Sequence, residues 1–546
     1  MSPTASQRPS PGGIGVKNWR SFVFVPSVVA LCAILGGVFG PGLTDVEAAS
    51  NESEVNNALK TFSKVYDLVE QNYADKVSAD KAIYRGAVPG MLRTLDPHSS
   101  FFDPKDFQLL REDQKGAYFG VGMSVAPKMN RTMVIAPFPG SPAYKAGIRP
   151  GDLIMFVNDK STENLRTDEV ADLLKGPKGT PVQVVIAREG TPQNLTFNIV
   201  RDEIPRKSVE DAFWLKPGIA YLDINQFNEN TSKEVEDNLK KLGESNIKGL
   251  VLDLRSNPGG LLNEGVAVAD RWLERGQIVV KHSGRASPER KYEARHGGNG
   301  RTYPIVVLVN RYSASAAEIV SGALQDHDRA WIFGENTFGK GLVQTVYPLA
   351  ENTGLALTTA RYYTPSNRLI QRDYANTSFF DYYYRKNLEG KNMNDVGMTD
   401  TGRKVYGGGG IAPDEKYEEP KANKLQVAMA RSYSFLNFTA KYLSSHDRGK
   451  INKDWSPDQG VMSDYKQFLL KEGFQFTEAE FTENETWVKQ QIRKEFFVTV
   501  FNIEESRRME VENDPMVQKA IEAFPKAKDL LDKARQLLVQ RRGGRF

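Results

Sequence analysis

The chain runs to 546 residues, long enough for roughly three or four folding units and a sizeable buried core. Its composition is that of a soluble protein, 40% hydrophobic and 26% charged, and a formal net charge of +4 over this length implies no polyanionic partner, so nucleic acid is not expected. The one cysteine, Cys32, and the lack of close ligand spacing among histidines and acidic residues leave no disulfide framework, thiol nucleophile, metal or other cofactor to expect.

Arg8, Lys17 and Arg20 precede an apolar run, FVFVPSVVALCAILGGVF, from Phe22 to Phe39. Small residues follow in DVEAAS, where Val46-Glu47-Ala48 or Glu47-Ala48-Ala49 offers a processing site. A basic, an apolar and a small-residue region in that order form a secretory signal. The alternative is a retained anchor, since about 18 apolar residues just span a bilayer. Pro26 and Gly36-Gly37 weaken a spanning helix and favour cleavage. Residues 1–49 are therefore read as a signal peptide or membrane anchor, with the rest of the chain outside the cytoplasm. Leu31 in front of Cys32 is not the small residue that lipid modification needs.

Residues 50–115 form a helical region. VNNALKTFSKVYDLVEQNY has apolar residues at helical spacing, and the turn-rich LDPHSSFFDP breaks the pattern; a small helical bundle is expected. From 116 to 202 the period shortens. YFGVGMSVAP, MVIAPFPGSPAYKAGIRPGDLIMFVND and TPVQVVIARE are β-rich runs divided by glycine and proline turns, with a helix-like TDEVADLLKG between them. The loop Gly120-Val121-Gly122-Met123 can aim backbone N–H groups at one anion, such as a peptide carboxylate. Together with SPAYKAGIRPGDLIMFVND, it makes this stretch resemble a PDZ domain. Residues 203–418 alternate strand-like runs (GIAYLDINQF, IKGLVLDLR, TYPIVVLVN, AWIFGE) with helix-like ones, an α/β order that places turns at strand C-termini, where open sheets collect their chemistry. Residues 419–546 read as a charged helical extension with a frayed RRGGRF tail.

Three turns in the α/β stretch carry the chemistry. LVNRYSASAAEIVSG runs from a strand through two serines into a helix, which places Ser315 at a helix N-terminus that favours negative charge. LDLRSNPGGLL ends a buried strand with Gly259-Gly260. A backbone N–H from either glycine, with that of Ala316, forms an oxyanion hole. ENTFGKGLVQT presents Lys340 between glycines; a lysine in an apolar pocket loses its charge readily and can take the Ser315 proton. Ser313 is read as a cap or turn residue. His327 lies too far along the same helix to fold back onto Ser315, and nothing in the sequence requires His98 to approach it. Both histidines are read as structural.

These motifs occur in one order, with LDPHSSFFDP before them and GGGIAPD (Gly408–Asp414) after them. Over roughly Val55–Asp414 the chain resembles the carboxy-terminal processing peptidases, or tail-specific proteases, of the Ser-Lys type. The resemblance implies an α/β multidomain fold with a ClpP/crotonase-like protease core. It places the nucleophile at Ser315, the base at Lys340 and an orienting glutamine at Gln344. The oxyanion donors fall at Gly260 (with Gly259 the lesser candidate) and Ala316. It further implies that Gly120, Val121, Gly122 and Met123 hold the terminal carboxylate and last apolar side chain of a protein or peptide substrate. The location it implies is a bacterial periplasm or the outer face of an inner membrane. For the extension, a helical scaffold or homo-oligomerisation region is expected, with adaptor docking a further role.

The leading functional reading is thus an exported serine endopeptidase acting near apolar C-terminal tails. A catalytically silent peptide-binding scaffold and a Ser-Lys hydrolase of other amides or esters are the alternatives. Intact Ser315, Lys340 and Gln344 weigh against the first, and the PDZ-like module against the second.

Overall fold

A computed structural model of the chain describes residues 52–375, 377–384 and 392–543. The N-terminal basic and apolar segment with Cys32, its processing site, and the end of the RRGGRF tail lie outside the described residues. Among the described residues, no helix is long and apolar enough to cross a membrane. The chain divides into two compact units, Met1–Arg85 and Gly86–Phe546. The first is dominated by the helix Glu52–Asn72. Its apolar residues, among them Leu59, Phe62, Val65 and Val69, are solvent-exposed where the sequence leads one to expect a packed bundle.

The second unit is organised around a six-stranded sheet. Its strands, β1 (Ala212–Lys216), β2 (Ile219–Asp223), β3 (Gly249–Asp253), β4 (Ile305–Val309), β5 (Trp331–Gly334) and β6 (Glu415–Lys416), lie in space in their chain order. The β1–β2 pair is antiparallel and every later pair is parallel, with Leu252 opposite Val307 and Val307 opposite Ile332. Strands β3 and β4 read GLVLD and IVVLV and are buried at every position. Unbroken apolar strands of this kind need cover on both faces.

One face is covered by the helices Thr231–Lys241, α1 (Leu262–Ala269) and α2 (Ala316–Asp326), which set Val235, Leu239, Val268 and Val320 against Leu222, Leu252, Val307 and Ile332. The opposite face, formed by Tyr221, Val251, Val306, Leu308 and Phe333, is covered by Met516, Val517, Ala520, Ala523 and Ala527. These come from the last two helices, Pro515–Glu522 and Phe524–Gly543. The end of the C-terminal region is therefore a layer of the core. The helices before it enclose a separate core around Phe438, Tyr465 and Phe496.

A second sheet carries the rest of the site. Leu342–Pro348 pairs antiparallel along Gly354–Tyr363, whose other edge takes Ser100–Phe102 and Ile278–Gly284. The β-rich domain is an antiparallel sheet with Met123–Lys128 at one edge. Among the described residues its only strand partner is Arg131–Pro137. This domain touches the C-terminal helices: Lys128 Nζ donates to Asn437 Oδ1 at 2.8 Å, and a β-carbon on Gly190 would stand 2.9 Å from Ser444 Cβ.

The packing of the last two helices gives a direct test. Met516→Ala is expected to cost about 2–5 kcal/mol and to lower the denaturant midpoint of the whole protease core. An unchanged core transition would mean that these helices are an appendage.

Candidate active site

Between the end of β4 and Ala316 the chain makes a tight turn. Ser313 is fully buried there, its hydroxyl donating to the Leu254 carbonyl at 2.7 Å and accepting from Asn310 N–H at 3.0 Å. It closes the turn, and the position at the head of α2 belongs to Ser315. That residue has φ 53° and ψ −112°. A residue with a β-carbon takes such a conformation only at a cost, so its neighbours must hold it. Ser315 N–H donates to Glu318 Oε2 at 2.8 Å, and Ala314 N–H to the Asn257 carbonyl at 2.8 Å.

Ser315 opens onto a cleft of about 370 Å³ that is also lined by Gly259, Gly260, Lys340, Gln344 and Tyr362, with Leu261, Leu342, Val343 and Val346 as apolar wall. Burial pulls the Lys340 amine below the ordinary lysine range, against the opposing pull of Glu318 and Asp96. Lys340 Nζ donates to Gln344 Oε1 at 3.3 Å, and the Gln344 amide N–H donates to the His98 carbonyl. A carbonyl only accepts, so His98 fixes which end of the amide faces the lysine. The Ser315 hydroxyl meets the Tyr362 hydroxyl at 3.2 Å, and among the described residues it shares no hydrogen bond with Lys340.

The loop carrying Lys340 is tied to Ser315 through one carboxylate. Glu318, fully buried at the third position of α2, accepts from Ser315 N–H, Thr337 Oγ1 (2.5 Å), Gly339 N–H (2.7 Å) and Lys340 N–H (2.8 Å). Burial pushes its carboxyl up from the usual range while these four donors pull it back.

The two glycines differ. Gly259 N–H is taken by Asn257 Oδ1 at 2.7 Å, so it is not an oxyanion donor. Its role is steric: at φ +94°, a β-carbon there would stand 2.6 Å from Ser315 Cβ. Among the described residues Gly260 N–H has no acceptor, and Ala316 N–H, at the first position of α2, is one of the donors a helix leaves unpaired.

The histidines are accounted for elsewhere. His327 caps α2, with one ring nitrogen 2.8 Å from Asp400 Oδ2 and the other 2.8 Å from the Ile278 carbonyl. Burial opposes the charged ring, but Asp400 and the Ile278 carbonyl outweigh it and raise its pKa. His98 lies against Tyr382 Oη at 2.8 Å, and burial together with Lys340 draws its pKa down to about 4.

In the β-rich domain, Gly120 ends a short strand opposite Asp202, and Val121 to Met123 make the turn into the edge strand. The Val121 carbonyl accepts from Ala143 N–H and the Gly122 carbonyl from Phe138 N–H and Ser141 Oγ. In a planar trans peptide the N–H points opposite to the C=O, so Gly122 and Met123 N–H face away from those partners. Gly122 has φ +78°, and a β-carbon would meet Ser141 Cβ at 2.5 Å. The Val121 and Met123 side chains are buried with Val170 and Leu174 of the helix Thr167–Leu174.

Three family models match the chain: peptidase family S41 over residues 218–376, a PDZ domain over 133–188, and the activating protease CtpB N-terminal domain over 42–106. A carboxy-terminal-processing protease of Bartonella bacilliformis is 40% identical over 326 residues, 59% of this chain and 74% of that one. The chain belongs to peptidase family S41. The carboxy-terminal processing protease CtpA of Bacillus subtilis is 31% identical over 366 residues, 65% of this chain and 76% of the relative. The solved photosystem II D1 C-terminal processing protease shares 28% identity, covering 66% of this chain and 87% of its own, with a TM-score of 0.35. This S41 member is a serine-type peptidase with a PDZ domain, an α/β protease core and a helical C-terminal region, as the motifs led us to expect.

Sequence reasoning missed three residues of the S41 site: Glu318, Asn257 and Tyr362. Ser315-Ala316-Ala317-Glu318 has capping-box spacing, a signal that points to Glu318. Nothing local marks the other two. Glu318→Gln replaces half of a fourfold acceptor with a donor. It is expected to cost about 1–3 kcal/mol in thermal unfolding and to reduce turnover more than substrate affinity; unaltered kinetics would separate Glu318 from the site.

Proposed function

We propose that this S41 peptidase is an exported endopeptidase that engages apolar C-terminal tails and cleaves with Ser315 as nucleophile and Lys340 as base. The observation that carries the reading is the meeting, in one cleft, of a serine on a strained turn and a buried lysine, beside two backbone N–H groups, of Gly260 and Ala316, that have no acceptor among the described residues. Ser315 Oγ attacks the scissile carbonyl carbon and its proton passes to Lys340 Nζ. The carbonyl oxygen, now negative, rests between Gly260 and Ala316 N–H. Collapse expels the amine, which takes the proton from Lys340, and water then releases the acyl group by the same steps in reverse order. Gln344 aims the amine.

The PDZ domain supplies the substrate. Gly122 and Met123 N–H are oriented to hold a carboxylate at the head of an edge strand, and a peptide adding to Met123–Lys128 gains main-chain hydrogen bonds there. Gly120 and Val121 shape that turn, and the buried Met123 side chain lies beneath the last apolar residue of the tail. The basic–apolar N-terminus supports export, to a bacterial periplasm or the outer face of the inner membrane, with cleavage or membrane attachment as its two outcomes. Adaptor docking and homo-oligomerisation are roles for the C-terminal helices and the exposed N-terminal helix.

Ser315→Ala and Lys340→Ala should each reduce cleavage of a protein with an apolar C-terminus to background, while Ser313→Ala keeps most activity. No cleavage by the parent would favour the silent scaffold, and parent-level cleavage by Ser315→Ala or Lys340→Ala would remove that residue from the mechanism. A free peptide with an apolar carboxylate end should compete, and its C-terminal amide should not.

The base also sets the sign of the pH dependence. Activity requires the neutral amine, so cleavage should fall with falling pH through the lowered Lys340 pKa and reach its plateau below the ordinary lysine range. His98, neutral above about pH 4, cannot produce that limb. A rate independent of pH from acid to alkaline would remove Lys340 as the base.

A further inference from the structure

Tyr362 sits on the strand Gly354–Tyr363 with its ring buried in the core, and its hydroxyl lies 3.2 Å from Ser315 Oγ. Among the described residues that hydroxyl has no other partner. Its backbone N–H donates to the Gly341 carbonyl at 2.8 Å, beside Lys340. One residue thus touches the nucleophile with its side chain and the base's loop with its main chain. A buried phenol without a partner costs free energy, and phenylalanine would fill the same space without that cost.

We propose that Tyr362 is a further catalytic residue, donating a hydrogen bond to Ser315 Oγ while negative charge develops there in formation and breakdown of the acyl-enzyme. This rests on Ser315 being the nucleophile. Before attack either oxygen of the pair can donate. When Tyr362 donates, the Ser315 O–H is left to point at Lys340. Once Oγ has bonded to the substrate carbon it has no proton, and only the phenol can donate. On deacylation Oγ leaves with the electron pair of the breaking C–O bond and regains its proton from Lys340; the phenol again faces the charge. Tyr362 keeps its own proton throughout, and burial, which pushes its pKa up to about 12, ensures that it does.

The test is Tyr362→Phe, assayed with an ester and a protein substrate beside Ser315→Ala. The expected result is a loss in kcat on the order of 10²-fold, little change in KM, slower labelling by a fluorophosphonate, and the same acid limb and thermal midpoint as the parent. A kcat within twofold of the parent, or above it, would overturn the proposal: the first makes the hydroxyl a packing feature, the second a brake. Cleavage by Ser315→Ala at the parent rate would instead overturn the nucleophile assignment, and the Tyr362 proposal with it. If Tyr362→Phe does not fold, 3,5-difluorotyrosine at 362 keeps the donor but makes it more acidic. It should add an alkaline limb as the phenol ionises, and no such limb would count against the proposal.

Discussion

The Glu318 carboxylate is the constraint on which the active site depends. It is fully buried, and it accepts one hydrogen bond from the backbone of Ser315 and three from the segment that carries Lys340. A carboxylate removed from water is costly unless its lone pairs are filled, and here four donors fill them. The arrangement welds two separate parts of the fold, the turn after β4 and the loop before Leu342. It also holds Ser315 in a backbone conformation it would otherwise leave. The same charge acts on Lys340 from below, favouring the ammonium, while burial favours the amine. The balance of those two effects leaves the Lys340 amine below the ordinary lysine range.

Much of this was legible in the sequence because each motif is a local turn. Ser315 and Lys340 lie where strands end and glycines free the backbone, and the runs GLVLD and IVVLV read as strands of an α/β order; the structure buries both at every position. What those runs do not say is where the second cover comes from. Met516, Val517 and Ala520 lie far along the chain in helices whose polar faces make them read as an appendage. The site shows the same limit. Gly259 and Gly260 are equivalent as a dipeptide, and only the Asn257 side chain, folded back onto Gly259 N–H, distinguishes the two. Tyr362 is one residue of an ordinary β-strand until the second sheet sets it against Ser315.

The two sheets divide the chemistry. The parallel sheet supplies Ser315, the head of α2 and the Gly260 turn, all of which depend on backbone geometry. The second sheet supplies Gln344 and Tyr362, and Lys340 lies just before it, so the polar side chains that face Ser315 and the Lys340 amine are carried on an antiparallel frame. The strand Ser100–Phe102 also joins this frame, which puts the His98 carbonyl against Gln344. That explains why LDPHSSFFDP belongs to the site although its histidine does not titrate there: the segment contributes a carbonyl and a packed ring, and its imidazole remains neutral.

Lys340 as the proposed base suits such a frame for a physical reason. Imidazole needs a second group to fix its tautomer, whereas an amine needs only burial to lose its proton and one acceptor to aim it. Glycines on either side let the Lys340 backbone pass close to its neighbours: a β-carbon on Gly341 would stand 2.6 Å from Gln371 N, and Gly339 takes φ +87°. Burial of the amine and close passage of its backbone are therefore the same feature. A bulkier residue on either side would push the loop outward, hydrate the amine and raise its pKa, so the glycines serve the chemistry through the base's electrostatics as much as through its position.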